Sequence, residues 1–100
     1  AIRTFQEAMK AHNVGIDFMT GMAWDPAMII ISALRALGPE ATAEQIHTWI
    51  ENLHDFGGIS GVYDFRDGSQ RGLSQKDVLV LRWDDAQGKW IGVSKLGGGL

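Results

Sequence analysis

The spacing of apolar side chains changes along the chain, from the three-and-four rhythm of helices to the alternation and short runs of strands. Ile2, Phe5 and Met9 stand among Gln6, Glu7 and Lys10, which predicts a helix over about 2–12 with one apolar stripe. His12 to Asp17 follows as a turn marked by Asn13 and Gly15. Asp25-Pro26 is a start signal, because aspartate accepts from first-turn N–H groups and proline has its φ preset for the first helical position. Gly38-Pro39 is a stop. Between them, residues 26–37 carry only Ser32 and Arg35 as polar side chains, so this second helix must be covered on most sides. Ile29 to Ile31 would also suit a buried strand, but the caps and the Ala33–Leu37 stretch favour helix. Thr42 with Gln45 three residues on forms a capping-box pattern, and Ile46, Trp49, Ile50 and Leu53 continue it as one apolar face. The third helix is therefore expected over about 43–54, ended by Gly57-Gly58.

The remainder reads as strands and turns. Short strands are expected at about 62–65, 78–83 and 90–94, with a polar turn region from Arg66 to Lys76. The last two strands are joined by Asp84-Asp85-Ala86-Gln87-Gly88, a five-residue glycine-containing loop, and form a β-hairpin. Residues 96–100, with Gly97-Gly98-Gly99, offer little to pack and are expected to be a flexible tail. Glycine follows the same division, with three in residues 1–50 and ten in residues 51–100. As a lone chain the fold class is α+β: three helices, a short strand and an antiparallel hairpin.

Composition narrows the function classes. At 100 residues there is room for one modest core, and 9 basic against 12 acidic side chains leave a net charge of -3, which disfavours nucleic acid or an anionic membrane as partner. The absence of cysteine removes disulfide scaffolds, thiolate metal centres and thiol nucleophiles together. The apolar stretch 26–37 is well short of the roughly 20 residues needed to span a bilayer. The start at Ala1-Ile2-Arg3 shows neither an initiator Met nor a signal segment, so a mature or excised piece is expected.

Candidate chemistry is sparse. His47, Glu51 and His54 fall on one arc of the third helix at i, i+4 and i+7, a set from which a small metal-dependent enzyme could be built. The same residues also serve as the solvated face opposite Ile46, Trp49, Ile50 and Leu53. Asp64, Asp67 and Gly68 lack the alternate oxygen ligands of a calcium loop and read as a turn. Gly58-Ile59-Ser60-Gly61 has its second glycine one place too early for a nucleophile elbow. No catalytic residues and no cofactor are expected. The stretch Phe18 to Trp24 is apolar and sulfur-rich and stands just before a helix start, where side chains can project into a cleft.

Several of these patterns occur in an order that resembles one family. Ala23-Trp24-Asp25-Pro26-Ala27 opens an apolar helix ending in Ala33-Leu34. About twenty residues later come Phe56, Gly58, Gly61 and Phe65 as F-x-G-x-x-G-x-x-x-F, then Arg71-Gly72-Leu73, then a terminal pair of strands. Over about Phe5 to Lys95 this resembles the C-terminal part of the type I periplasmic substrate-binding proteins of branched-chain amino acid ABC transporters. Trp24 departs from the family's more usual tyrosine, and Pro26 from its usual small residue.

The resemblance implies an α/β parent of two lobes that close on a small ligand, an amino acid or a branched or aromatic carboxylate, without chemistry. It implies a periplasmic location, ABC transporter permease subunits as partners, and most ligand contacts upstream of this segment. The family's cleft-wall position falls on Met19, with Met22 and Trp24 as neighbours, so these three are the expected ligand-binding residues. An isolated segment of such a lobe is expected to self-associate. A standalone interaction domain that uses the hairpin edge remains the other reading.

Overall fold

The computed structural model describes residues 1–100 and is a mixed α+β arrangement in which helices precede two antiparallel hairpins. Helix α1 (Ile2–Ala11) buries one side chain, Phe5. Helix α2 (Phe18–Met22) is an element the apolar pattern did not mark. It forms because the Thr20 N–H donates to Asp17 Oδ1 at 2.8 Å while the Asp17 N–H donates to Thr20 Oγ1 at 2.9 Å, a reciprocal cap at the end of the expected turn.

Helix α3 (Trp24–Leu37) begins two residues earlier than expected, with Ala23 at its cap position. Asp25 is thus not the cap but lies inside the first turn, and its side chain makes no cap hydrogen bond. Pro26 is accommodated because first-turn N–H groups have no intrahelical acceptor in any case. Gly38 ends the helix at φ 100°, and its N–H donates to the Leu34 carbonyl at 2.8 Å. Asp25, Ile29 and Ala33 form the buried stripe at intervals of four.

Helix α4 (Ala43–Glu51) opens on the expected box: the Gln45 N–H donates to Thr42 Oγ1 at 3.2 Å, and the Thr42 N–H to Gln45 Oε1 at 2.9 Å. It stops at Glu51, short of the expected residue 54. The Leu53 N–H turns back to the Ile50 carbonyl at 3.0 Å, and Asp55 takes φ 55°. Gly57, read as part of a helix stop, belongs instead to strand β1 (Phe56–Gly57). It pairs antiparallel with β2 (Val62–Tyr63), Phe56 opposite Tyr63 and Gly57 opposite Val62. The strand expected to reach residue 65 leaves the ladder after Tyr63. The Asp64 N–H then donates to the Gly72 carbonyl at 2.8 Å and the Phe65 N–H to the Leu53 carbonyl at 2.9 Å.

After a short 3-10 turn at Gln75–Asp77, β3 (Leu81–Asp84) and β4 (Lys89–Gly92) form the terminal hairpin with Trp83 opposite Trp90, their rings edge to face at 5.4 Å. Both strands are shorter than expected, although the Val93 N–H still donates to the Val80 carbonyl at 2.9 Å. The glycine-rich tail folds back. The Gly97 N–H donates to the Val78 carbonyl at 2.8 Å, the Lys95 N–H to the Gly99 carbonyl at 2.7 Å, and Gln75 Nε2 to the Gly97 carbonyl at 3.2 Å. The tail's own contribution to these bonds is backbone N–H and carbonyl groups.

No helix is long and apolar enough to cross a membrane. The core is small: Phe5, Ile29, Ala33 and Tyr63 are its buried hydrophobic residues. A compact monomer of 11.0 kDa exposes about 5,600 Å². This chain exposes 7721 Å², a surplus of about 2,100 Å². Its radius of gyration is 16.1 Å, against about 13 Å for a compact domain of this length.

Gly72 tests the local packing. At φ 70°, a Cβ there would meet Cζ of the Phe65 ring at 2.5 Å, whereas a Cβ on Gly15 would meet nothing within 4 Å. Gly72→Ala is expected to destabilise by about 2 kcal/mol or more, and Gly15→Ala to change stability by no more than about 0.5 kcal/mol. Paired thermal melts of the two variants check the contrast.

Candidate functional site

The most elaborate polar arrangement in the molecule surrounds Asp25. Asp25 is the acidic residue in the first turn of α3. Its side chain points to the loop between β1 and β2. The Ile59 N–H donates to Oδ1 at 2.9 Å, the Ser60 N–H to Oδ2 at 3.0 Å, and the Tyr63 hydroxyl to Oδ2 at 2.9 Å. The residue is only 2% exposed, and no lysine, arginine or histidine pairs with it. Neutral donors alone therefore compensate the loss of water around this carboxylate.

The glycines of the F-x-G-x-x-G pattern are explained by this contact and its surroundings. A Cβ on Gly58 would lie 2.5 Å from Asp25 Oδ2, so only glycine lets the loop backbone close over the carboxylate. Gly61 sits at φ 151°, where a Cβ would meet Asp77 Oδ1 at 2.6 Å and Leu73 at 3.0 Å. Phe56 meets the Tyr63 ring edge on at 6.3 Å, and Phe65 stacks on Tyr63 at 6.0 Å. Phe65 in turn covers Gly72. Trp24-Asp25, Phe56, Gly58, Gly61, Phe65 and Gly72, separated by up to 48 positions in the sequence, thus form one connected set.

The three expected ligand contacts do not share a cavity. Met19 and Met22 are exposed on α2, whereas Trp24 is half-buried with its ring edge to face against Phe5 at 5.2 Å. Met22 lines an apolar groove of about 310 Å³ with Phe5, Ile16, Phe18 and Ile59. Trp24 lines a separate cleft of about 210 Å³ with Met28, Phe56 and Gly58, open to Asp25. Met19 lines neither.

The metal alternative loses its geometry. Because α4 ends at Glu51, His54 leaves the helical arc, and its Nδ1 turns to Asp55 at 2.9 Å while His47 Nδ1 stands 3.4 Å from Glu51. No group of three or more histidine or acidic side chains is placed to hold a metal ion. The largest cavity, about 640 Å³ and open, is lined by His47, Glu51, Arg66 and Ser69 among others. Arg66 is already engaged there, its Nε and Nη2 donating to the two Asp64 oxygens at 3.0 and 2.7 Å. That paired hydrogen bond holds the Asp64 carboxyl well below the usual carboxylate range.

Sequence reasoning took Asp25 for a helix cap, considered Ile59 and Ser60 only within a rejected nucleophile elbow, and did not single out Tyr63. The available signal was an acid between Trp24 and an apolar run, together with two glycines closely spaced ahead of the only tyrosine. Comparison of the chain with protein-family models, with curated proteins and with solved structures finds no match.

Burial, with the hydrogen bond to Asp25 and its negative charge, pushes the Tyr63 phenol up to about 12 from its ordinary 10.0. Since the folded value is the higher one, the stabilising contribution is complete below pH 10 and is lost as pH rises towards 12. Tyr63→Phe is expected to cost about 1–2 kcal/mol at neutral pH and to abolish this alkaline dependence. Spectrophotometric titration reads the phenol directly, because the chain has one tyrosine. Ionisation near 10 in the folded wild type would contradict the contact.

Proposed function

We propose that this chain is the C-terminal part of a two-lobed solute receptor of the branched-chain amino acid type. Such a receptor captures an amino acid or a branched or aromatic carboxylate in the periplasm and delivers it to the permease of an ABC transporter. It performs no covalent chemistry. The observation that carries the reading is the uncovered apolar surface. Ile30 and Ile31 on α3 and Val78, Leu79, Val80, Leu81, Trp83 and Trp90 of the hairpin segment are all exposed. Residues 78–81, which lead into β3, are apolar at every position and so offer no polar face to solvent, the pattern of a segment covered on each side. The remaining lobe of a receptor would supply that cover. The ordered set of Trp24-Asp25, Phe56, Gly58, Gly61, Phe65 and Gly72 supports the same reading, since its members meet in one cluster.

In this reading Met19, Met22 and Trp24 contribute a wall of the cleft. In the complete receptor, Trp24→Ala is expected to weaken binding of the best ligand from a panel of aliphatic and aromatic acids by about tenfold, measured by calorimetry. Binding equal to that of the parent removes Trp24 from the site.

The isolated chain is expected to self-associate, because a surplus of about 2,100 Å² exceeds the roughly 800 Å² that each partner buries in an ordinary interface. Sedimentation equilibrium at micromolar concentration is the measurement. A monomer of 11.0 kDa with a cooperative melt would overturn the reading as part of a larger lobe and favour a standalone interaction domain using the hairpin edge.

A further inference from the structure

We propose that the loop Gly58–Tyr63 is a carboxylate-binding site in its own right, filled in cis by Asp25, and that removing that side chain opens it to a free small monocarboxylate such as acetate. The donors form a receptor: two successive backbone N–H groups and one phenol hydroxyl converge on both carboxylate oxygens within 2.9–3.0 Å. Two adjacent N–H groups facing one anion make the kind of concavity that binds carboxylates and phosphates elsewhere.

The receptor does not owe its shape to Asp25. The Gly58 N–H donates to the Gly61 carbonyl at 2.9 Å, closing the loop on itself. The β1–β2 pairing sets Tyr63 opposite Phe56, and the Phe56 and Phe65 rings hold the phenol from two sides. Gly58 keeps the space over the donors clear, since any Cβ there would occupy it. No cation supports the carboxylate, so a vacated loop presents unpaired donors in a nearly dry site, where an incoming anion gains most from each hydrogen bond. The cleft of about 210 Å³ beside Trp24, Met28 and Phe56 opens onto this position and provides the path of entry.

Asp25→Gly removes the CH₂–COO⁻ group that acetate replaces almost atom for atom. The experiment compares wild type, Asp25→Asn and Asp25→Gly in thermal melts at equal ionic strength, in sodium acetate, sodium formate or sodium chloride. The expected result is a rise of about 5–10 °C for Asp25→Gly in acetate at ten times its dissociation constant, with formate acting likewise and chloride not. Wild type and Asp25→Asn, whose loops are already filled, respond to none of the three. A response of Asp25→Gly no larger than theirs overturns the proposal. Should Asp25→Gly be unfolded in chloride, the reading becomes the recovery of helical ellipticity on adding acetate, and no recovery overturns it equally. Adding Tyr63→Phe to Asp25→Gly is expected to weaken acetate affinity by about tenfold, which cuts the stabilisation at the same acetate concentration to roughly a third. An undiminished response overturns the assignment to this loop.

Discussion

One buried carboxylate joins the helical half of this protein to its extended half. Asp25 leaves the first turn of α3 and is received by a loop 34 to 38 residues later, through two backbone N–H groups and one phenol. A buried carboxyl group without a cation is tolerable only when its oxygens are well supplied with donors, so each neighbour is constrained by the contact. Gly58 must lack a side chain, Tyr63 must present its hydroxyl, and β1 and β2 must pair so that both are held in place. No buried side-chain polar atom in the molecule is left without a partner.

The aromatic and glycine positions radiate from that contact. Tyr63 is packed between Phe56 and Phe65, and Phe65 lies over Gly72, so the order F-x-G-x-x-G-x-x-x-F followed by R-G-L describes a packing arrangement. The polar side chains here serve short local structures. Asp64 holds Arg66, Asp67 accepts from the Ser69 N–H, and Asp77 accepts from the Ser74 N–H.

The surfaces it presents are large and apolar. Only a narrow stripe of α3 is buried, and the terminal hairpin exposes both of its faces. Hydrophobic burial within the chain is therefore modest, and the local devices just described carry an unusual share of the order.

The sequence by itself determined the elements whose cause is local. Thr42 and Gln45 cap α4 as their spacing requires, Gly38 ends α3, and Gly88 at φ 63° closes the turn that sets Trp83 against Trp90. Each of these rests on groups a few residues apart, which a linear pattern displays. It also showed that the helix over 26–37 is apolar nearly all round, without showing what would cover it. Tertiary structure alone decided that Asp25 is a bridge and not a cap, and that Gly57 belongs to a strand. It also decided that His54 falls outside the helix carrying His47, and that a glycine tail is tied down by its own backbone. The reason is common to all four: a carboxylate, an N–H or a carbonyl can be satisfied by several partners, and which one it finds depends on which distant segment the fold brings within 3 Å.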